Sequence, residues 1–180
     1  MALHSLTITA SIIVIVTLIV LSSAGADAKC PAGCSCAASQ RSEVTDAVGR
    51  RGVAVTCSAV ELTSLPTDLP SNAASLDVSG NRLELLDATT LPRTGVHALS
   101  TANFSRNRIA TIATEAFSRW SNLVSLDLSA NRLSSIDHGT FRGAPQTSLQ
   151  NLDLSGNRLT DVDGGFSGMT NLFRFVTSSL

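Results

Sequence analysis

The sequence predicts an α/β solenoid, a coil of short parallel strands joined by short helical, 3₁₀ or irregular return segments. Three observations carry that prediction. One motif recurs four times at a nearly constant period, apolar residues alternate inside each copy, and an asparagine holds a fixed place in each. The copies occupy residues 73–83, 99–109, 123–133 and 149–159, and each fits L-x-x-L-x-L-x-x-N-x-L, with Ala73, Ala102 and Val78 standing in for leucine. The asparagines are Asn81, Asn107, Asn131 and Asn157, spaced by 26, 24 and 26 residues. A fixed period in the twenties with this signature marks a leucine-rich repeat solenoid.

Within a copy, residues such as Leu126 and Leu128 fall on one face of a strand, because strand side chains alternate with period two. Ser125, Asp127 and Ser129 then face solvent on the concave side. The backbone must turn sharply after the strand, and an amide side chain there can pair with both N–H and C=O groups. The four asparagines are therefore expected to stack as a structural ladder, one per coil. Ile112 and Phe117, Ile136 and Phe141, and Val162 and Phe166 supply the return side of the core, with Trp120, Ala144 and Met169 following. A single coil cannot bury its own apolar face, so stability is expected to come from stacking on neighbours.

At the start of the chain, an almost unbroken apolar stretch covers residues 6–21, and Ala26-Asp27-Ala28 has small residues at the cleavage spacing. Residues 1–28 thus read as a secretory signal peptide. The alternative is an uncleaved anchor, since about 18 apolar residues can span a bilayer. No span is expected in the mature chain. Removing the segment costs one acid, Asp27, and leaves 13 basic and 13 acidic residues, a formally neutral chain. A nucleic-acid binder would carry a net basic surface, so that class is set aside.

All four cysteines, Cys30, Cys34, Cys36 and Cys57, lie in the next stretch. Four cysteines allow three disulfide connectivities. Zinc is the rival use, but the C-x-C spacing is unlike the usual C-x₂₋₄-C pairs, and a secretory route favours disulfides. The run CPAGCSC, followed after a gap by VAVTCSAVELTSLPTDLP, resembles the cysteine-rich N-terminal cap of extracellular leucine-rich repeat proteins. That broad class includes Slit proteins, trophoblast glycoprotein, Toll-like receptors and lamprey variable lymphocyte receptors. The resemblance implies the pairs Cys30–Cys36 and Cys34–Cys57, a secreted or cell-surface location, and a binding role.

The expected organisation is a signal peptide at 1–28, a cap at 29–58 and repeats at 59–180. Leu62, Leu65 and Leu69 begin a shortened first coil. Twenty residues separate Cys36 from Cys57, more than this class of cap commonly holds, and they include a polar stretch ending in Arg50-Arg51-Gly52. A solvated hairpin extension explains it, and a protease or partner site at Arg50-Arg51 is the sharper alternative. A fifth run begins at Asn171-Leu172-Phe173-Arg174-Phe175. It departs from the motif at Thr177 and Leu180, and no cysteine-rich C-terminal cap is seen. The expectation is either a fragment of a longer product or an end covered by a partner, with residues 29–180 alone fraying from Gly164 onward or pairing end to end.

No catalytic constellation, metal set or cofactor motif is visible. The mature chain has only His97 and His138, and no glycine-rich phosphate loop. The expected function is an extracellular protein-interaction module of receptor, adhesion or ligand-inhibitor type, binding an extracellular protein. Asp77, Asp127 and Asp153 form a mild acidic row on the strand face, which either is simply solvated or meets a basic partner. Arg82, Arg108, Arg132 and Arg158 each follow a ladder asparagine along one edge, with Arg106 adding locally. That edge supports a second expectation, a matrix component binding a sulfated glycan. A third is a non-catalytic subunit of an enzyme complex. Asn103-Phe104-Ser105 is the chain's one N-glycosylation sequon, and a glycan there would crowd the middle of the strand face.

Overall fold

The computed structural model describes residues 30–38 and 52–176, apart from positions 93, 144, 163 and 173. The expected signal segment, the Arg50-Arg51 pair, Ala144, Phe173, Thr177 and Leu180 lie outside the described residues.

In chain order the strands are β1 (Ser35–Ala38), β2 (Val53–Thr56), β3 (Ala73–Asp77), β4 (Leu85–Leu86), β5 (Thr101–Asn103), β6 (Thr111–Ile112), β7 (Ser125–Asp127), β8 (Asn151–Asp153) and β9 (Arg174–Val176). One four-residue helix, α1, spans Pro145–Ser148. Seven strands form one sheet in the order β1-β2-β3-β5-β7-β8-β9. Only the β1–β2 pair is antiparallel; every later neighbour is parallel, as a coil that advances one turn per repeat requires. The return side is irregular. It holds α1, the short parallel β4–β6 pair and the isolated bridges Asp68–Thr94 and Ser135–Asp161. Asp87 closes the turn after β4: its Oδ1 accepts the Thr89 hydroxyl at 2.6 Å and the N–H groups of Thr90 and Thr89 at 2.7 Å. These bonds, the Thr89 hydroxyl foremost, hold its carboxyl below the usual carboxylate range.

Register puts Leu76, Ala102, Leu126, Leu152 and Phe175 in one column, and all but Phe175 are buried. Two residues on, Val78, Phe104, Leu128 and Leu154 form a second buried column. The second copy exchanges volumes between its two core positions, a small Ala102 beside a large Phe104, and volume-conserving swaps cost a core least. Phe104 packs against Phe117 and Trp120, with ring centroids 6.2 and 6.1 Å apart. Phe117, Phe141 and Phe166 then stack one per coil at 6.1 and 6.2 Å, tying successive return segments together.

The ladder asparagines each bond two coils. Asn131 Nδ2 donates to the carbonyls of Leu128 in its own coil and Phe104 in the preceding one, both at 3.0 Å. Its Oδ1 accepts the N–H of Ile109 at 3.0 Å. Asn107 repeats this with Phe104 and Val78 as acceptors and Leu83 as donor, and Asn157 with Leu154, Leu128 and Leu133. Asn81 reaches back into the cap, donating to Cys57 and Val78 and accepting from Val60 and Leu62. The cap itself is closed by Cys30–Cys36 and Cys34–Cys57, with Cα–Cα distances of 5.8 and 4.4 Å. Cys57 is buried in the core, so the second bridge fastens the β1–β2 hairpin to the first coil.

Candidate functional site

The solvent face of the long sheet is built from the residues between the core leucines. Parallel register sets Ser75, Thr101, Ser125, Asn151 and Arg174 in one row, and Asp77, Asn103, Asp127, Asp153 and Val176 in the next. The carboxylates of the second row have a local duty. Oδ1 of Asp77, Asp127 and Asp153 accepts the N–H two residues on, at 2.9, 2.8 and 2.9 Å, and Asn103 does the same to Ser105 at 2.9 Å. Each therefore ends its strand with an Asx turn. That duty requires only one oxygen, which is why an asparagine replaces the acid in one coil without disturbing the turn. The second oxygen of each Asp has no partner among the described residues and faces solvent.

Between β7 and β9 this face holds a shallow groove of about 260 Å³, with Ser125, Asp127, Asn151, Asp153, Arg174 and Val176 along it. Strands lie about 4.8 Å apart, so the Asp127 and Asp153 carboxylates are held as near neighbours with like charge. Arg174, exposed on β9, stands beside them and makes no ion pair among the described residues. Arg174 lies in the incomplete fifth run, outside the four full copies of the motif. Aligning Asn171-Leu172-Phe173-Arg174-Phe175 on residues 122–126 puts Arg174 opposite Ser125 and would have found it. Phe175 is 42% exposed, an aromatic edge on the same strand.

Arg82, Arg108, Arg132 and Arg158 also form a row. Their N–H groups donate to the carbonyls of Leu62, Leu83, Ile109 and Leu133, one coil back each time. All four are exposed, but they are not equivalent. Arg82 Nη2 is paired with Glu61, whereas Arg108, Arg132 and Arg158 have no carboxylate partner among the described residues. His97 and His138 are exposed and far apart in the coil order. Among the described residues no group of three His, Cys, Asp or Glu side chains could hold a metal, and no helix is long and apolar enough to cross a membrane.

The sequence model of the family described as "Leucine rich repeat" matches residues 71–133, 97–159 and 121–176, together more than half of the 180 residues. The chain belongs to the leucine-rich repeat family. Tsukushi of Mus musculus is 34% identical over 97 residues, 54% of this chain and 27% of Tsukushi. Leucine-rich repeat-containing protein 3B of Danio rerio is 34% identical over 113 residues, 62% of this chain and 40% of that protein. The chain thus spans between about a quarter and two fifths of the curated relatives named. Among solved structures, human 5T4 (Wnt-activated inhibitory factor 1, trophoblast glycoprotein) superposes with a TM-score of 0.64 at 25% identity, over 84% of this chain and 54% of that one. For this leucine-rich repeat protein, two closed disulfides belong to an oxidising compartment, and the chain is extracellular, secreted or on the cell surface.

Proposed function

We propose that this leucine-rich repeat protein is a non-catalytic extracellular module that binds a protein partner on the solvent face of its long sheet. The groove between β7 and β9 carries the proposal. Asp127 and Asp153 are each anchored through one oxygen and present the other, so they are preorganised acceptors for a lysine or arginine of the partner. Arg174 beside them would meet an acid or a carbonyl on the same partner. A cation placed between two neighbouring carboxylates also relieves their mutual repulsion, which adds to the attraction. The organisation we propose around this site is a signal peptide at 1–28, a cap at 29–58 and repeats from 59 onward. The likeness to Tsukushi and 5T4 supports a role in extracellular recognition of the receptor, adhesion or ligand-inhibitor kind.

The test uses the full chain against a panel of extracellular protein domains. For any domain bound, the double variant Asp127→Asn with Asp153→Asn should lose at least about tenfold in affinity, because charge-assisted contacts are worth more than neutral ones. Both substitutions keep the turn oxygen, as Asn103 does, so folding should be unchanged. Affinity unmoved in that variant refutes the groove as the site. One observation favours a second reading, the three arginines at 108, 132 and 158 that have no carboxylate partner among the described residues. If a sulfated glycan is the ligand, retention on heparin falls when these three become Ala and is indifferent to the aspartate variant.

A further inference from the structure

We propose that Asn103 carries an N-linked glycan standing on the solvent face of the long sheet, and that it divides this face. The sequon Asn103-Phe104-Ser105 supplies the residue types, and the fold makes them compatible with attachment. In the turn that ends β5, Asn103 Oδ1 accepts the Ser105 N–H at 2.9 Å. That bond fixes the amide with its oxygen toward the backbone. It leaves Nδ2, the atom to which a glycan is joined, without an acceptor among the described residues. The oligosaccharide comes from a lipid-pyrophosphate-linked donor: its anomeric C1–O bond to pyrophosphate breaks, C1 bonds to Nδ2 as that nitrogen gives up one proton, and the lipid pyrophosphate leaves. Oδ1 is unchanged, so the folded turn survives the modification. Phe104 is buried and holds the strand end in place.

The surroundings leave room for a bulky group. Along the face, Asn103 has Asp77 on one side and Asp127 on the other, and the row beside it reads Ser75, Thr101 and Ser125. None of these side chains is long enough to stand over the amide. The three aspartates of the row would serve the turn equally well, so an asparagine at this one coil keeps the turn while adding an attachment atom. A glycan at Asn103 that leans toward the cap end would cover β3 and β5 and leave the groove between β7 and β9 open. This second consequence rests on the protein-binding proposal above; the modification itself does not.

The full chain expressed through a eukaryotic secretory pathway should show a single mobility step that peptide-N-glycosidase removes. The mapped peptide should then read Asp at position 103. Ser105→Ala, which keeps Asn103, and Asn103→Asp, which keeps the turn acceptor, should each abolish the step. Secreted, folded protein with an unmodified Asn103, or a step that persists in Asn103→Asp, overturns the modification. Coverage is read separately with a polymer-linked maleimide on Thr101→Cys and Asn151→Cys variants. The glycan should slow labelling at 101 several-fold relative to the Asn103→Asp background and leave 151 unchanged. Equal rates at 101 with and without the glycan refute the division of the face.

Discussion

The ladder asparagine shows most clearly what one side chain does in this protein. Asn131 is buried and serves the Ile109 N–H and the Phe104 and Leu128 carbonyls at once, so two coils depend on it. Asn131→Ala leaves those groups without partners in a site closed to water, at a cost of about 1–3 kcal/mol. Asn157 makes the same set of bonds but is only half-buried, so water can replace them, and Asn157→Ala should cost clearly less. Denaturant titration of the two variants reads the difference; equal losses would mean that burial does not set the cost. The asparagines were legible in the sequence because an amide is the side chain that both donates and accepts at a turn. The row of aspartates was legible only as charge. Their Asx turns depend on which oxygen meets which N–H, and the periodicity that revealed the strands says nothing of that.

The coil corner is the element that the motif describes least. Just before each ladder asparagine the backbone enters the left-handed region: Gly80 (φ 68°), Arg106 (57°), Ala130 (53°) and Gly156 (67°), with Ala59 (54°) in the matching place just after the cap. The geometry is shared because the N–H groups there point forward to the next coil, as in Ala130 to Ser155 O at 2.7 Å and Gly80 to Ser105 O at 2.9 Å. Two of the four copies carry glycine and two do not, so the requirement was hidden in the x positions of the pattern. For Ala130 the left-handed strain is about 1–2 kcal/mol. The extra chain entropy of glycine is about 0.5–1 kcal/mol. Relief of strain wins, and Ala130→Gly should stabilise by about 0.5–1 kcal/mol, a higher denaturation midpoint. The reverse change at Gly156 should lower it, since a Cβ there would lie 3.3 Å from the Ala130 backbone. The return segments were the other obscure part. A two-residue strand such as β4 or β6 is too short to show a period, and the only helix among the described residues is one turn long.

At the scale of the molecule, stacking and capping decide the architecture and charge placement decides what it offers. The Cys34–Cys57 bridge and the Asn81 bonds join the cap to the first coil, and the aromatic column carries the core onward to Phe166. The sheet face that results is open, short-chained and acidic, with Arg174 at its far edge. The central claim is that this face, at β7–β9, receives a protein partner. Zero-length carbodiimide cross-linking of the full chain to a bound extracellular domain, followed by peptide mapping, tests it most directly. Asp127 and Asp153 should be joined to lysines of the partner. Cross-links confined to Asp87 and Asp137 on the return side, with Asp127 and Asp153 recovered free, would contradict it.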